Sequence, residues 1–171
     1  MKQFSYSIMI LLLVSWSTDG YSQRRRGNNT PQFLYGYLGT TAAGAVIGAE
    51  YERFSKKAHG WGISFRHFPY AAGTLGGMQL GIFLRPHFRK GAWDLHVTPG
   101  FGIFNHTLQT NNDFISSTSG TLVGPMLNQG ILYSYSKSFT VGFNHEHYYN
   151  WFGSPGGTIM SVGTVSMRFR I

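Results

Sequence analysis

The sequence predicts an all-β fold, an eight-stranded antiparallel up-and-down transmembrane β-barrel. Charged residues make up 12% of the 171 residues, and aromatic residues make up 16%. The charged fraction is about half that of an average soluble domain. Apolar residues alternate with small or polar residues in segments of about ten residues, the length at which a tilted strand crosses a bilayer. No stretch after residue 16 approaches the ~18 consecutive apolar residues that a membrane helix needs.

Residues 1–22 have the pattern of a secretory signal peptide. Lys2 precedes a short apolar run, and the small residues Gly20 and Ser22 mark a cleavage site before Gln23. The apolar run is too short for a membrane anchor. Residues 23–31 are predicted to be a flexible basic lead-in and residues 32–171 the barrel. We therefore expect export and a location in the bacterial outer membrane.

Eight segments of period-two alternation follow, separated by turn residues. In the fifth, Trp93, Leu95 and Val97 share one face, and Asp94 and His96 share the other. Alternate residues of a strand point to opposite sides of a sheet, so each strand has one apolar and one polar or small face. The segments are 32–41, 45–54, 61–70, 78–88, 93–105, 121–134, 139–149 and 158–171.

The polar faces indicate which side of the sheet faces inward. A soluble barrel would place many Lys and Glu outside, whereas these faces carry mainly Gly, Ser and Thr with a few ionisable groups, which suits a narrow lumen. Enclosed charges must be paired, and a paired set would fill an eight-stranded lumen as a plug. A selectivity ring or a proton path is the alternative. The predicted lumen ion pairs use Glu50, Glu52, Arg66, Arg85, Asp94, Glu146, Arg168 and Arg170.

Connections and aromatic residues also predict a spanning barrel. Short links fall at the expected periplasmic end, and the longest link, residues 106–120, falls at the outer end, where recognition would reside. Aromatic belts are typical of both interfaces, and here they comprise Trp61, Trp93, Tyr148, Tyr149 and Trp151. Three prolines inside strands, Pro86, Pro99 and Pro125, are expected at bulges or near a rim.

The charge pattern favours lipid over nucleic acid as a partner. The chain carries a formal net charge of +8, but its aromatic residues alternate on the face opposite the charges, so the two cannot form one nucleic-acid-binding stripe. Lys56, Lys57, Lys90 and Lys137 lie in the predicted periplasmic turns. They are expected to be solvated or to contact lipid headgroups, with an acidic envelope protein as the alternative. Outer-membrane lipids and lipopolysaccharide are the expected partners.

Residues 144–150 are the only concentrated set of catalytic residue types. His145 and His147 share one strand face, and Glu146 takes the other. A tetrahedral zinc site needs three or four ligands, and no third ligand is evident, so no metal or other cofactor is predicted. The chain has no cysteine, which excludes thiolate chemistry.

This stretch resembles the signature of PagL-type lipid A deacylases, which are eight-stranded barrels acting from the lipid-facing wall. His147 and Asn150 match that signature, but Tyr149 stands where the Ser nucleophile belongs and Met160 stands near the Glu. Ser154 is the nearest hydroxyl that could replace the nucleophile. The resemblance implies an acyl hydrolase with His147, Asn150 and Ser154 as the alternative catalytic set, whereas the favoured prediction has no catalytic residues.

The exported region as a whole resembles small outer-membrane barrels of the OmpA-transmembrane and OmpW kind. Its last strand ends in residues 167–171, which resemble the sorting signal of such barrels with Ile171 in place of the usual Phe. Residues 48–51 and 151–154 are similar to motifs of TraO-type conjugation barrels. We expect a non-catalytic barrel with a plugged lumen, structural or adhesive or part of an envelope assembly. A lipid A acyl hydrolase, and a small channel or conjugative-transfer barrel, are the alternatives.

Overall fold

The computed structural model describes residues 30–41, 44–55, 59–69, 75–108, 118–151 and 157–171. The predicted signal peptide, most of the lead-in, Lys56, Lys57 and Ser154 lie outside these ranges. Within them, no helix is long and apolar enough to span a membrane. All the predicted strands are present, and they are β1 (Gln32–Thr41), β2 (Gly44–Phe54), β3 (His59–Phe68), β4 (Leu75–Lys90), β5 (Trp93–Leu108), β6 (Thr118–Ser134), β7 (Phe139–Asn150) and β8 (Gly157–Arg170).

The strands form a closed antiparallel barrel in sequential order, which confirms the predicted fold. Closure occurs between β1 and β8, where Phe33 pairs with Arg170 and Thr41 pairs with Val162. Closing the sheet leaves no strand edge exposed. We call the end that contains the start of β1 the turn end, and the opposite end the loop end. At the turn end, a two-residue link joins β4 to β5, and Gly91 takes the positive φ of +62° that such tight hairpins require.

The longest hairpin differs from its predicted bounds. The pairing of β5 with β6 continues to Leu108 and Thr118, beyond the predicted limits of residues 105 and 121. Each of these two strands is therefore longer than β1, β2 or β3, and together they extend the loop end. The segment predicted as a 106–120 loop is in part strand. The sequence predicts a loop there because the period-two pattern weakens before the backbone pairing stops.

Side-chain exposure is reversed relative to a soluble protein. Leu80 and Leu84 are each 63% exposed, whereas Glu50 is 3% exposed and Arg85 is fully buried. Large apolar side chains thus cover the outside of the barrel, and a set of charged side chains that includes Glu50 and Arg85 is enclosed. This confirms the predicted orientation of the two strand faces.

Two apolar clusters help to fill the lumen. The cluster nearer the loop end contains Val46, Phe68, Phe83, Phe104, Met126, Tyr148, Met160 and Val162. The cluster nearer the turn end contains Phe33, Tyr35, Tyr37, Phe54 and Leu132. The enclosed charges lie between and beside these clusters.

The strand prolines are accommodated without a bulge at their own positions. Pairing of β4 with β5 runs to Phe83 and Gly100, and it resumes in the same register at His87 and His96. Pro86 and Pro99 both lie in the interval between these pairs, so one gap in the ladder accepts two residues that lack an N–H. Pro125 pairs with Phe101 on β5 and lies one residue beyond the last β6–β7 pair at Met126. The bulge of the described ladders is instead between Tyr148 and Tyr149.

Candidate functional site

The lumen contains a continuous network of charged side chains. Its first centre is Arg66, whose Nη2 lies 2.6 Å from Glu50 Oε1 and 2.6 Å from Glu146 Oε1. The same guanidinium lies over the Tyr37 ring, 4.0 Å from its centroid. These three charged residues come from β3, β2 and β7, so their ion pairs cross the lumen. The planar fork of arginine suits this use, because it can hold two carboxylates at once.

Arg85 is the second centre and continues the network toward the turn end. Its Nη2 lies 2.6 Å from the other oxygen of Glu50, and its Nη1 lies 3.5 Å from Glu52 Oε2. Its Nε donates a hydrogen bond of 2.9 Å to Thr98 Oγ1. Glu50 therefore joins the two arginines, and Arg85 joins Glu50 to Glu52.

Asp94 closes the network near the turn end. Its Oδ2 lies 3.3 Å from Arg168 Nη1 and 2.8 Å from Arg89 Nε. His87 lies between Asp94 and Glu52, with Nδ1 at 2.9 Å from the first and Nε2 at 2.8 Å from the second. Both ring nitrogens of His87 thus lie within hydrogen-bonding distance of a carboxylate, so the ring bridges Asp94 and Glu52.

Tyrosine hydroxyls complete the coordination of the three glutamates. Tyr35 donates to Glu52, and Tyr37 donates to Glu50 Oε2 at 2.6 Å. Tyr148 donates to Glu146 Oε2. Sequence reasoning did not include Tyr35 and Tyr37, although their odd positions on β1 place them on one face with Phe33.

Tyr148 and Arg170 differ from their predicted positions. Tyr148, predicted in the outer aromatic belt, is 7% exposed and faces the lumen, because it lies two residues after Glu146 on the same strand face. Arg170, predicted in a lumen ion pair, is exposed and makes no ion pair among the described residues. It is the last residue of β8, so it stands at the rim where water solvates it.

The other predicted belt residues lie on the outside. Trp61 is 48%, Trp93 52% and Trp151 66% exposed. Trp93 packs edge-to-face on Tyr133, with ring centroids 4.9 Å apart, at the turn end. Toward the loop end, Tyr149 is half-buried on the outward face of β7.

Two members of the alternative catalytic set from the sequence, His147 and Asn150, are not brought together. His147 projects from the outer wall, whereas Asn150 is 5% exposed and belongs to the inward face of the same strand. The wall therefore separates these two side chains. Met160, at the position near the expected Glu, is buried in the loop-end apolar cluster. Ser154 lies outside the described residues.

A different polar cluster occupies the outer wall across β6, β7 and β8. His145 Nε2 lies 2.6 Å from Ser161 Oγ, and both side chains are exposed. The His147 ring stands edge-on to the His145 ring at 4.3 Å between centroids. Gln129 pairs opposite His145 on β6. Sequence reasoning missed Ser161, although its parity on β8, shared with Val165 and Met167, assigns it to the outward face.

This cluster does not form a conventional metal centre. Among the residues that the structure describes, no three His, Cys, Asp or Glu side chains are grouped to hold a metal ion. A serine hydroxyl that contacts an imidazole nitrogen is instead the arrangement of a nucleophile and its general base.

Comparisons with known proteins give the same architecture. No family model matches the chain, and no curated protein matches it. Among solved structures, it is similar to the N-terminal β-barrel domain of Pseudomonas aeruginosa OprF, with a TM-score of 0.69, 13% identity, and coverage of 84% of this chain and 98% of that chain. Neisserial surface protein A matches with a TM-score of 0.61, 8% identity, and coverage of 83% and 96%.

A third similar structure is Ail, the attachment invasion locus protein of Yersinia pestis, solved with the heparin analogue sucrose octasulfate. It has a TM-score of 0.52 and 13% identity, and the match covers 84% of this chain and 100% of that chain. Identities this low show a shared fold alone. The chain has the fold of small bacterial outer-membrane β-barrels.

Proposed function

We propose that the protein is a closed barrel of the bacterial outer membrane that conducts nothing through its lumen and acts as a structural or adhesive component of the envelope. The observation that carries this proposal is the network from Glu146 through Arg66, Glu50 and Arg85 to Glu52. Every member of that series is at most 3% exposed. Such a series fills the width of an eight-stranded lumen, which has room for little more than side chains.

The outer wall supports the membrane part of the proposal. Leu38 is 65%, Ile82 64% and Phe143 68% exposed. Side chains of this kind around the circumference of a barrel match hydrocarbon rather than water. Export through a signal peptide and contact with lipopolysaccharide follow from the same proposal.

The β5–β6 hairpin is the region best placed for recognition. It continues the barrel wall at the loop end to Leu108 and Thr118. A rigid, closed scaffold below an extended hairpin holds any contact surface in a fixed position. Adhesion or assembly with another envelope protein would use this end.

Two measurements test the proposal. Cell fractionation should place the protein in the outer membrane, with unheated samples migrating differently from heated samples on a denaturing gel. Planar-bilayer recordings on that folded protein should show no current steps. Recovery in the soluble periplasmic fraction would disprove the membrane location. Discrete single-channel conductance from folded protein would instead establish a channel and disprove the closed lumen.

A further inference from the structure

The charges of the described residues separate into a balanced set in the lumen and an unbalanced set at the turn end. The described acids are at most 3% exposed, and each of them contacts an arginine of the lumen network. The carboxylates are Glu50, Glu52, Asp94 and Glu146, and the guanidiniums that contact them are those of Arg66, Arg85, Arg89 and Arg168. Every other Lys or Arg that the structure describes is exposed, so its charge is not balanced by a described acid.

These exposed residues, which we call the rim cations, all lie at the turn end. They are Arg53, Lys90, Lys137 and Arg170. Arg53 pairs with Gln32 at the start of β1, and Lys90 and Arg170 are the last residues of β4 and β8. Lys137 lies in the link between β6 and β7. Among the described residues of the loop end, no Lys, Arg, Asp or Glu is exposed, so the unbalanced charge belongs to one end of the barrel.

Two of the rim cations stand beside tryptophans on the outward face of the wall. Arg53 on β2 pairs directly with Trp61 on β3. Lys90 on β4 pairs in the same way with Trp93 on β5. Tryptophan side chains mark the interface between hydrocarbon and water. The two cations are therefore at the level where lipid headgroups surround a spanning barrel.

We propose that the rim cations bind the phosphate groups of anionic phospholipids, whose headgroups carry no compensating ammonium group. The proposal rests on the membrane location proposed above and adds the class of lipid that the turn end selects. Guanidinium and ammonium groups donate charge-assisted hydrogen bonds to phosphate oxygens. An anionic headgroup offsets the charge of the rim, whereas a zwitterionic headgroup brings as much positive as negative charge.

The distribution of the rim cations favours lipid over an acidic protein. They come from β2, β4, the β6–β7 link and β8, so they are spread around the circumference, as the lipids that surround a barrel are. Arg53 and Lys90 belong to the faces of their strands that carry the apolar wall. A backbone hydrogen bond of 3.0 Å from Arg170 N to Ser138 O holds Arg170 beside the link that contains Lys137. Two neighbouring cations without an acid between them can share one phosphate.

Electron paramagnetic resonance of spin-labelled lipids tests the proposal with the folded full chain in phosphatidylcholine vesicles. The fraction of immobilised label gives the association constant of phosphatidylglycerol relative to phosphatidylcholine. We expect a ratio of about 3, because each cation near a lipid surface contributes roughly 5-fold at its own site and the loop-end half of the surrounding lipid contributes none. In 1 M salt, where the Debye length is about 3 Å, the ratio should approach 1.

A matched pair of variants separates charge from other properties of the rim. Replacing all four rim cations by Gln should lower the ratio to about 1, since the phosphate then meets no cation. Exchanging every rim Arg for Lys and every rim Lys for Arg conserves the charge and should preserve the preference. Both variants should retain heat-modifiable migration, because the substituted side chains are exposed and lie outside the lumen network.

Four outcomes would overturn the proposal. Equal association of the two lipids with folded wild-type protein is the first, and a preference that survives in the Gln variant is the second. Displacement of the lipid by soluble glycerophosphate at an equal phosphate concentration would instead identify a site for free phosphate. Binding of a polyglutamate peptide by protein that shows no lipid preference would identify an acidic protein as the partner. Loss of the preference in a barrel that still fractionates with the outer membrane would refute this proposal and leave the membrane location intact.

Discussion

On the inner face of β2, Glu50 is 3% exposed and contacts two arginines, whereas on the outer face of the same strand Ile47 is 46% exposed. The two faces share one backbone but meet different surroundings. Inside, groups with hydrogen-bonding needs must find every partner within the protein. Outside, side chains need only be apolar, and their contacts with each other matter less because lipid is equally apolar.

This contrast locates the sensitivity of the barrel to substitution. An inner side chain belongs to a network in which each member satisfies several others, so its loss leaves buried groups unpaired. Substituting an outer apolar side chain with another apolar side chain changes its surroundings little. Inner substitutions should therefore destabilise strongly, and outer ones should destabilise only when they introduce charge.

The largest effect is expected from removing the central cation of the lumen. Arg66→Ala leaves Glu50 without one of its two arginines and Glu146 without its only buried cation. Removing one partner of a buried ion pair costs about 3–5 kcal/mol. Urea unfolding in lipid vesicles, followed by tryptophan fluorescence, measures the free energy of unfolding.

The control for that variant removes the opposite charge as well. Arg66→Met combined with Glu146→Gln should destabilise less than the sum of the two single substitutions, because no uncompensated charge is left at that position. A single Arg66→Ala variant as stable as wild type would show that the lumen network does not support the fold.

A charge on the outer wall is expected to produce the next largest effect. Ile82 lies in the middle of β4 and is 64% exposed. Ile82→Arg should destabilise the barrel by about 2–4 kcal/mol in vesicles, since arginine near the bilayer midplane is unfavourable by that amount. The same unfolding measurement applies, with Tyr135→Arg, in a turn, as the matched control that should change stability by less than about 1 kcal/mol. Equal effects at the two positions would mean that water surrounds the wall.

The strand faces could be predicted from sequence, but the partners across the lumen could not. Alternation alone assigned Glu50, Arg66 and Asp94 to the inside, because side-chain direction depends only on parity within a strand. That Arg66 joins residues 16 and 80 positions away depends on barrel closure and strand register, which no local pattern encodes.

The outer-wall cluster was missed for the same reason. The resemblance to lipid A deacylases points to His147 and Asn150, which lie on the same strand but, by parity, on opposite faces. The pairing partner of His147 is Ser161 on the next strand, and His145 reaches that hydroxyl diagonally. Cross-strand neighbours follow from register, and the bulge between Tyr148 and Tyr149 shifts the register just beyond this pair.

Glycines allow the two faces to be compared with one matched substitution. A Cβ on Gly60 would meet the carboxylate of Glu52, which Tyr35 and His87 hold in place, whereas a Cβ on Gly36 would meet nothing within 4 Å. Gly60→Ala should destabilise by about 1–3 kcal/mol through overpacking. Gly36→Ala should be neutral or stabilise by up to about 1 kcal/mol. Unfolding curves of the two variants, measured alongside wild type, test this difference. Equal destabilisation by Gly60→Ala and Gly36→Ala would contradict the close packing of the lumen.

The smallest effect is expected at the boundary between the network and water. The Arg89 side chain is 47% exposed, and its Nε contacts Asp94 Oδ2 at 2.8 Å, yet Asp94 also contacts His87 and Arg168. Arg89→Ala should therefore destabilise by no more than about 1 kcal/mol, the range for a solvent-exposed ion pair. Added salt should shrink the difference from wild type, because the pair is screened. A loss as large as that of Arg66→Ala, unaffected by salt, would mean that the enclosed network extends to the rim of the barrel and that Asp94 depends on Arg89 for its charge balance.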